Sequence, residues 1–363
     1  MIPSQNILYI GPYKEESNRG YYSYVNIKAL EKAGHRLKII PLYSHKYLVN
    51  KISEDISHLE NNNLERYDIC IQHCDPIQYC FHNHFKKNIG IYDFANFDPH
   101  PIINTQLLFL DKIVVSSQNK LEILSDVVSA ALYSKLAYVP QLIDLNHVQH
   151  EDKGKDLGWL DEKRFYFYSE LNFSEQYDWE KLIYVYLTSF MNKKTGLIIR
   201  TKQLDTEEKI KLIKKQIYDM AKEAKIKHIP EAMPQVLNGI PSDKDLTQVY
   251  QRSHCLIDVN KANEQSYASV YFAALNKPII CNSHLTAASY FKNAYKVAGL
   301  VCNSSMTYYH DIANSSMTNY YYTINTEHLR ETMQEVYSTR YNKHRYYDDE
   351  INQYNISNIN NLL

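Results

Sequence analysis

The sequence predicts an α/β protein made of two doubly wound, Rossmann-like domains, and three observations carry that expectation. Short apolar runs of strand length alternate with longer segments of helical apolar spacing along the whole chain. A length of 363 residues suits two domains that each bury their own core. The alternation is interrupted once, by a polar and charged stretch that follows Tyr138–Asp144 (YVPQLID) and runs through Glu162. The boundary is placed there, with one domain over 1–145, a second over 146–340, and a helix end and tail over 341–363.

In the first half, Asn6–Ile10 reads as a strand that stops at the turn pair Gly11-Pro12. Gly20–Ala33 has helical spacing and ends at Gly34, a residue suited to the left-handed position after a helix. Leu37–Leu42 and Tyr67–Gln72 are strands, the latter opening into His73, Cys74, Asp75 and Pro76. Asn88–Tyr92 is followed by the polar-aromatic loop Asp93–Asp98, then strand Asp111–Val115 and helix Gln118–Asp126.

The second half repeats the pattern. Strand Arg164–Leu171 leads to helix Trp179–Phe190 and strand Gly196–Arg200. Helix Thr206–Ala224 carries lysines on positions that read as a solvated face. A strand near Lys227–Ile229, a segment at Gln235–Ile240 and helix Ser242–Arg252 come next. Cys255–Ile280 then reads as buried strand, polar loop Asn260–Gln265, helix from an N-cap at Ser266 to Leu275, tight turn and strand. That order places a helix start beside the carboxyl end of a strand, where open α/β sheets bind anions; an ordinary βαβ unit without a ligand has the same pattern. A last helix is expected over Glu327–Tyr347, with the Asn-rich tail from Asn352 frayed.

Composition removes several classes. The 40 Lys+Arg against 41 Asp+Glu give a formal charge of −1, so no global pull toward nucleic acid or membrane exists. The opening MIPSQNILYIGPY lacks the basic start and apolar core of a signal peptide, and no run approaches the roughly 18–20 apolar residues of a membrane helix. Six scattered cysteines do not make a disulfide framework, so a reduced, cytoplasmic protein is expected. Only 9 glycines are present, which leaves no Gly-rich phosphate loop; side chains and helix ends must hold any nucleotide. The 33 tyrosines, with abundant Asn, Ile and Lys, have AT-rich codons, a composition compatible with a phage.

A set of motifs falls in a fixed order along the chain. VPQLID at Val139–Asp144 is similar to VPNGVD or VPNPID, and FAALNKPII at Phe272–Ile280 to EAMALGKPVI. IQHCDP at Ile71–Pro76, KKNIGIYDF at Lys86–Phe94 and LDKIVVSS at Leu110–Ser117 match three strand ends of an acceptor-side domain. FYFYSEL at Phe165–Leu171 and LIIRTK at Leu197–Lys202 match the first two strands of a donor-side domain. Together they resemble the GT-B glycosyltransferases, most closely the retaining family 4 enzymes. The resemblance implies two domains facing across a cleft, a C-terminal helix packing back toward the N-terminal domain, closure about residues 140–150, and a metal-independent reaction without cofactor.

The chain departs from that family at its donor site. Two glutamates with seven residues between them are usual, and alignment on Pro278 puts Asn263 and Tyr271 there, with Glu264 one residue beyond the first. Glycines near the donor phosphates become Glu264 and Ser266, and the usual Arg and Lys after the first donor-domain strand become Gln176 and Tyr177. Losing two charge-assisted hydrogen bonds costs roughly 3–6 kcal/mol, so a working donor site needs replacements.

The replacements expected are Arg200 and Lys202, two apart on one strand end and so on one side of it. Asn260, Glu264, Gln265 and Ser266 would supply hydroxyl and N–H contacts, Glu170 another strand-end carboxylate, and Tyr267 a stacking surface or plain packing. From the first domain, Gly11, Arg19 and Gly20 lie on the loop that the resemblance brings to the donor phosphates. His73, Asp93 and Asn96 are the candidates for acid–base work on the acceptor, because a histidine at a sheet's carboxyl edge can titrate near neutrality. A structural histidine is the alternative. Cys70, His73, Cys74, Cys80, His82 and His84 follow no usual zinc spacing, so no metal is expected.

The expected activity is transfer of a sugar from a nucleotide-sugar donor to a hydroxyl acceptor, with retention implied by the resemblance. The acceptor class stays open among a glycan, a lipid-linked glycan, a protein and a modified DNA base. Two alternatives remain: a non-catalytic GT-B protein that binds a glycan or partner, and a phage-type DNA base glycosyltransferase.

Overall fold

The computed structural model describes residues 3–15, 17–42, 51–81, 83–92, 101–127, 129–143, 160–174, 177–201, 207–226, 233–238, 243–261, 266–283, 288, 291–304, 319–339 and 355–363. The chain divides into two compact units. The first comprises Met1–Leu145, Ser305–Asn319 and Asn352–Leu363, and the second Asn146–Ser304 and Tyr320–Ile351.

The first unit holds a six-stranded sheet ordered β2-β1-β3-β4-β5-β6. Its strands are β1 (Asn6–Gly11), β2 (Arg36–Pro41), β3 (Ile69–Gln72), β4 (Lys87–Tyr92), β5 (Lys112–Val115) and β6 (Leu136–Tyr138). All pair in parallel, with Ile10 opposite Gln72 where β1 meets β3. Helix α1 (Asn18–Lys32) starts at Ser17, whose hydroxyl accepts from the Gly20 N–H at 3.0 Å. It is followed by Gly34 at φ +88°, the left-handed position that glycine adopts without strain. Helices α2 (Pro101–Leu108), α3 (Gln118–Val127) and α4 (Ala130–Tyr133) complete the crossovers, and Leu107, Leu124 and Leu132 pack with Ile113 and Val115.

The second unit holds a sheet ordered β12-β11-β10-β7-β8-β9, also parallel throughout. Its strands are β7 (Phe165–Glu170), β8 (Thr195–Thr201), β9 (Gln235–Asn238), β10 (Cys255–Asp258), β11 (Ile279–Asn282) and β12 (Tyr295–Val297). The partner of β8 is Gln235–Asn238, while the strand expected near Lys227–Ile229 lies outside the described residues. Successive residues of β7 face opposite sides, as strand geometry requires. Phe165 and Phe167 join a core with α5 (Trp179–Phe190), α6 (Glu207–Glu223) and α9 (Thr326–Thr339). On the other face Tyr168 stacks on Phe272 of α8 (Tyr267–Ala274) and meets Tyr250 of α7 (Asp243–Arg252) edge-on. A separate ribbon pairs β13 (Gly299–Ser304) with β14 (Asn319–Ile324).

One expectation about the C-terminus is corrected. The helix that follows Asn325 belongs to the second unit, burying Leu329, Met333 and Val336 against the core that α5 shares. What belongs to the first unit is a final 3-10 turn, Ile356–Leu362. It is not frayed: Ile356, Ile359 and Leu362 recur every third residue, the period of a 3-10 turn, and all three are buried. Asn360 Oδ1 meets His35 Nε2 at 3.2 Å, and Lys112 Nζ donates to the Asn361 carbonyl at 2.7 Å. Ile359→Ala should therefore cost about 2–3 kcal/mol and speed amide exchange in α1, which hydrogen-exchange mass spectrometry reads directly. Unchanged α1 protection would show that the turn contributes nothing.

Candidate functional site

Each sheet reverses its direction of growth once, and open α/β sheets bind ligands outside the carboxyl ends of the strands at that point. In the first unit the reversal lies between β1 and β3. Gly11 ends β1, and His73 follows β3 with its N–H on the Ile10 carbonyl at 2.8 Å, so two expected site residues meet there.

The His73 side chain is 0% exposed. Its Nδ1 lies 2.6 Å from Ser23 Oγ of α1 and 3.5 Å from the Tyr9 hydroxyl, and the Tyr22 ring stands edge-on at 5.2 Å. The group is locked between two strands and a helix rather than presented at an open rim. Burial pushes the Tyr9 phenol up to about 12, against hydrogen bonds from Ser23 and Asn26. Gly11 is glycine for a steric reason: a Cβ there would come within 2.9 Å of the Tyr9 ring and 3.0 Å of Ser23 Oγ. A Cβ on Gly20 would stand 2.0 Å from the Glu15 carbonyl oxygen, because the Pro12–Glu15 turn folds onto the first turn of α1. Arg19 directs its charge at the same corner. It opposes the burial that pushes the Cys74 thiol up to about 12, and does likewise for Tyr9. Asp93 and Asn96 lie outside the described residues.

In the second unit the reversal lies between β7 and β10. Glu170 closes β7 opposite Arg200 of β8, and the two form a buried ion pair at 3.1 Å. The same Glu170 oxygen accepts from the Tyr168 hydroxyl at 2.9 Å and from the Tyr250 hydroxyl. Both phenols are held well above their ordinary range, first by burial and next by the Glu170 charge. Arg200, expected to offer its charge to a phosphate or to solvent, thus turns its guanidinium to a buried carboxylate. Lys202, Glu264 and Gln265 lie outside the described residues.

Asn260 follows β10, is buried, and bridges Tyr177 through the backbone; its N–H lies 3.2 Å from Asp258 Oδ1. Ser266 caps α8 with an extended backbone, and its carbonyl accepts from Ser269 N and Oγ. Tyr267 is not a presented stacking surface: it is buried, with its ring 5.1 Å from Tyr271. Tyr271 in turn lies 5.3 Å from Tyr250, so a cluster of tilted aromatic rings occupies the position where the resembled family carries its second glutamate.

Three features escaped the sequence reading. Tyr250 is a hydrogen-bond donor to Glu170 from a helix 80 residues away. Lys277 buries its ammonium against the Tyr250, Gln251 and Ser253 carbonyls at 2.7, 2.5 and 2.6 Å, closing the end of α7, and burial pulls it down to about 7. Asp178, before α5, gathers donors from β14. Its carboxylate accepts from Thr323 Oγ1 at 2.8 and 3.0 Å and from Ile324 N at 2.7 Å.

Among the described residues, no three or more His, Cys, Asp or Glu side chains come together as metal ligands, and no helix is long and apolar enough to cross a membrane. Cys70 and Cys74 are buried free thiols, both pushed up to about 12 by burial.

Two parallel, doubly wound units in one chain constitute the GT-B fold, the class expected from the sequence. Solved glycosyltransferase structures share it along their full length. A glycosyltransferase from Rickettsia africae ESF-5 matches with a TM-score of 0.65 at 10% identity, over 99% of this chain and 96% of that one. Anabaena Alr3699/HepE in complex with UDP-glucose gives 0.61 at 10% identity, over 98% and 97%. A UDP-forming trehalose-phosphate synthase from Burkholderia xenovorans gives 0.64 at 11% identity, over 99% of each chain. No protein-family model and no curated protein matches the sequence.

Proposed function

We propose that this chain is a glycosyltransferase that moves a sugar from a nucleoside-diphosphate donor to a hydroxyl acceptor. One observation supports it above the rest: over a GT-B fold of full length, Gly11 and His73 in one unit and Glu170 and Asn260 in the other fall at the two switch points. On this reading the donor occupies the carboxyl edge at β7 and β10. Asn260, Ser266 and the α8 start contact it, Glu170 and Arg200 shape its floor, and Tyr267 belongs to the same region; Lys202, Glu264 and Gln265 remain donor candidates from the sequence alone. By the resemblance, Gly11, Arg19 and Gly20 stay candidates for the donor phosphates, and His73, Asp93 and Asn96 for the acceptor. HepE has been solved with UDP and glucose, and a trehalose-phosphate synthase with glucose-6-phosphate, which favours a sugar hydroxyl as acceptor here.

The chemistry asks for no protein nucleophile. The donor's own phosphate assists attack on the anomeric carbon, with retention, and the protein contributes positioning and charge stabilisation as that phosphate leaves. Five free thiols among the described residues fit a cytoplasmic setting. The deciving measurement is thermal stabilisation by UDP-, GDP-, ADP- and CDP-sugars. A ligand at a hundred times its dissociation constant adds about 2.7 kcal/mol, and one nucleotide class should give that shift. No shift with any class would defeat the proposal and favour the second reading, a non-catalytic binder. The inward-turned Arg200 and the Tyr250–Tyr271–Tyr267 cluster are what speak for that rival.

A further inference from the structure

We infer that Lys261 is the cation that receives the donor diphosphate, presented by a clamp centred on Asp178; this rests on the donor reading above and assigns its missing positive charge. The loop after β10 is tied down at three consecutive residues. Asp178 N donates to the Val259 carbonyl at 2.9 Å, Asn260 bridges Tyr177, and Tyr322 N donates to the Lys261 carbonyl at 3.2 Å. The position of Lys261 at the carboxyl edge of the switch point is therefore set by main-chain contacts.

Charge counting then singles it out. The Asp178 side chain is 3% exposed and already accepts from Thr323 and Ile324. Two ammonium groups stand against it, Lys261 at 3.4 Å and Lys181 at 3.7 Å, so among the described residues one carboxylate faces two cations. Lys181 is committed to the fold, donating to Thr323 Oγ1 at 2.5 Å and the Ile324 carbonyl at 2.8 Å. Lys261 has 23% of its side chain exposed and reaches solvent at the edge where open α/β sheets receive anions. Arg200, the described strand-end cation that the sequence offered for phosphate, is paired with the buried Glu170 instead. A lysine ammonium is a suitable point charge for phosphate, and Asp178 orients it while Lys181 shares the same carboxylate.

Isothermal titration of the wild-type chain and of Lys261→Gln with UDP, GDP, ADP and CDP, and with the corresponding nucleosides, tests this. Lys261→Gln should weaken the diphosphate that binds by about tenfold to a hundredfold, leave its nucleoside unchanged, and flatten the salt dependence of binding. Lys261→Arg should restore most of the affinity. Equal diphosphate binding by wild type and Lys261→Gln would overturn the inference. So would a parallel loss of nucleoside affinity, which marks a collapsed loop. Failure of the wild-type chain to bind any of the four diphosphates overturns the donor reading itself, a distinct result seen before any variant is compared.

Discussion

Arg200→Ala is expected to destabilise the second unit by about 3–5 kcal/mol, the range for removing one partner of a buried ion pair. The guanidinium is one of three donors to a single Glu170 oxygen, and neither side chain is more than 9% exposed. Taking it away leaves a buried carboxylate with two phenols and no compensating charge. The loss should show as a lower urea midpoint with little change in slope. Pairing Arg200→Met with Glu170→Gln should recover most of it, because the buried charges are then removed together while the amide still accepts from Tyr168 and Tyr250. An Arg200→Ala loss below about 1 kcal/mol would mean the pair is not a structural element. The same experiment cleans up the functional question: a fall in nucleotide affinity in this variant counts as a binding effect only after the stability loss is subtracted.

Asp178→Ala should cost a similar amount, about 3–5 kcal/mol, through a different mechanism. Thr323 and Ile324 lose their acceptor, and Lys181 and Lys261 are left facing each other without the carboxylate between them. Asp178→Asn keeps an acceptor oxygen and should cost about 1–2 kcal/mol less. Thermal melts rank the two variants, and faster amide exchange at Tyr322 and Ile324 in Asp178→Ala would locate the damage in β14. Equal stability of both variants to wild type would show that the clamp holds nothing.

These two sites also mark where reading the residues in order stops. Alternating apolar runs locate β1, β7, β8, β10 and helices α1, α3, α5, α6 and α7 to within a residue or two, because periodicity and caps such as Gly34 and Ser266 are local signals, whereas α2 and α4 were not anticipated. Glu170 and Arg200 were each legible as strand-end residues. Their pairing was not, since it depends on the register of β7 against β8 across 30 residues. Asp178 sits in an unremarkable polar stretch, and its partners arrive 145 and 146 residues later. The terminal turn was misjudged because asparagines dominate its composition and hide the three-residue spacing of Ile356, Ile359 and Leu362. His73 was correctly placed at a carboxyl edge, but its enclosure by Tyr9, Tyr22 and Ser23 depends on packing between elements 50 and more residues apart.

The first unit is discontinuous in the chain, with Ser305–Asn319 and then Asn352–Leu363 completing what Met1–Leu145 begins. During synthesis α1 emerges early, yet the turn that covers part of it follows only after the whole second unit has been made. Until then the nascent first unit carries an unsealed apolar seam, a natural docking point for a chaperone and a hazard for aggregation. The same arrangement instructs anyone dissecting the protein. A fragment cut at Leu145 lacks its own last piece, whereas one that joins 352–363 back by a flexible linker, or receives it as a separate peptide, regains the seal.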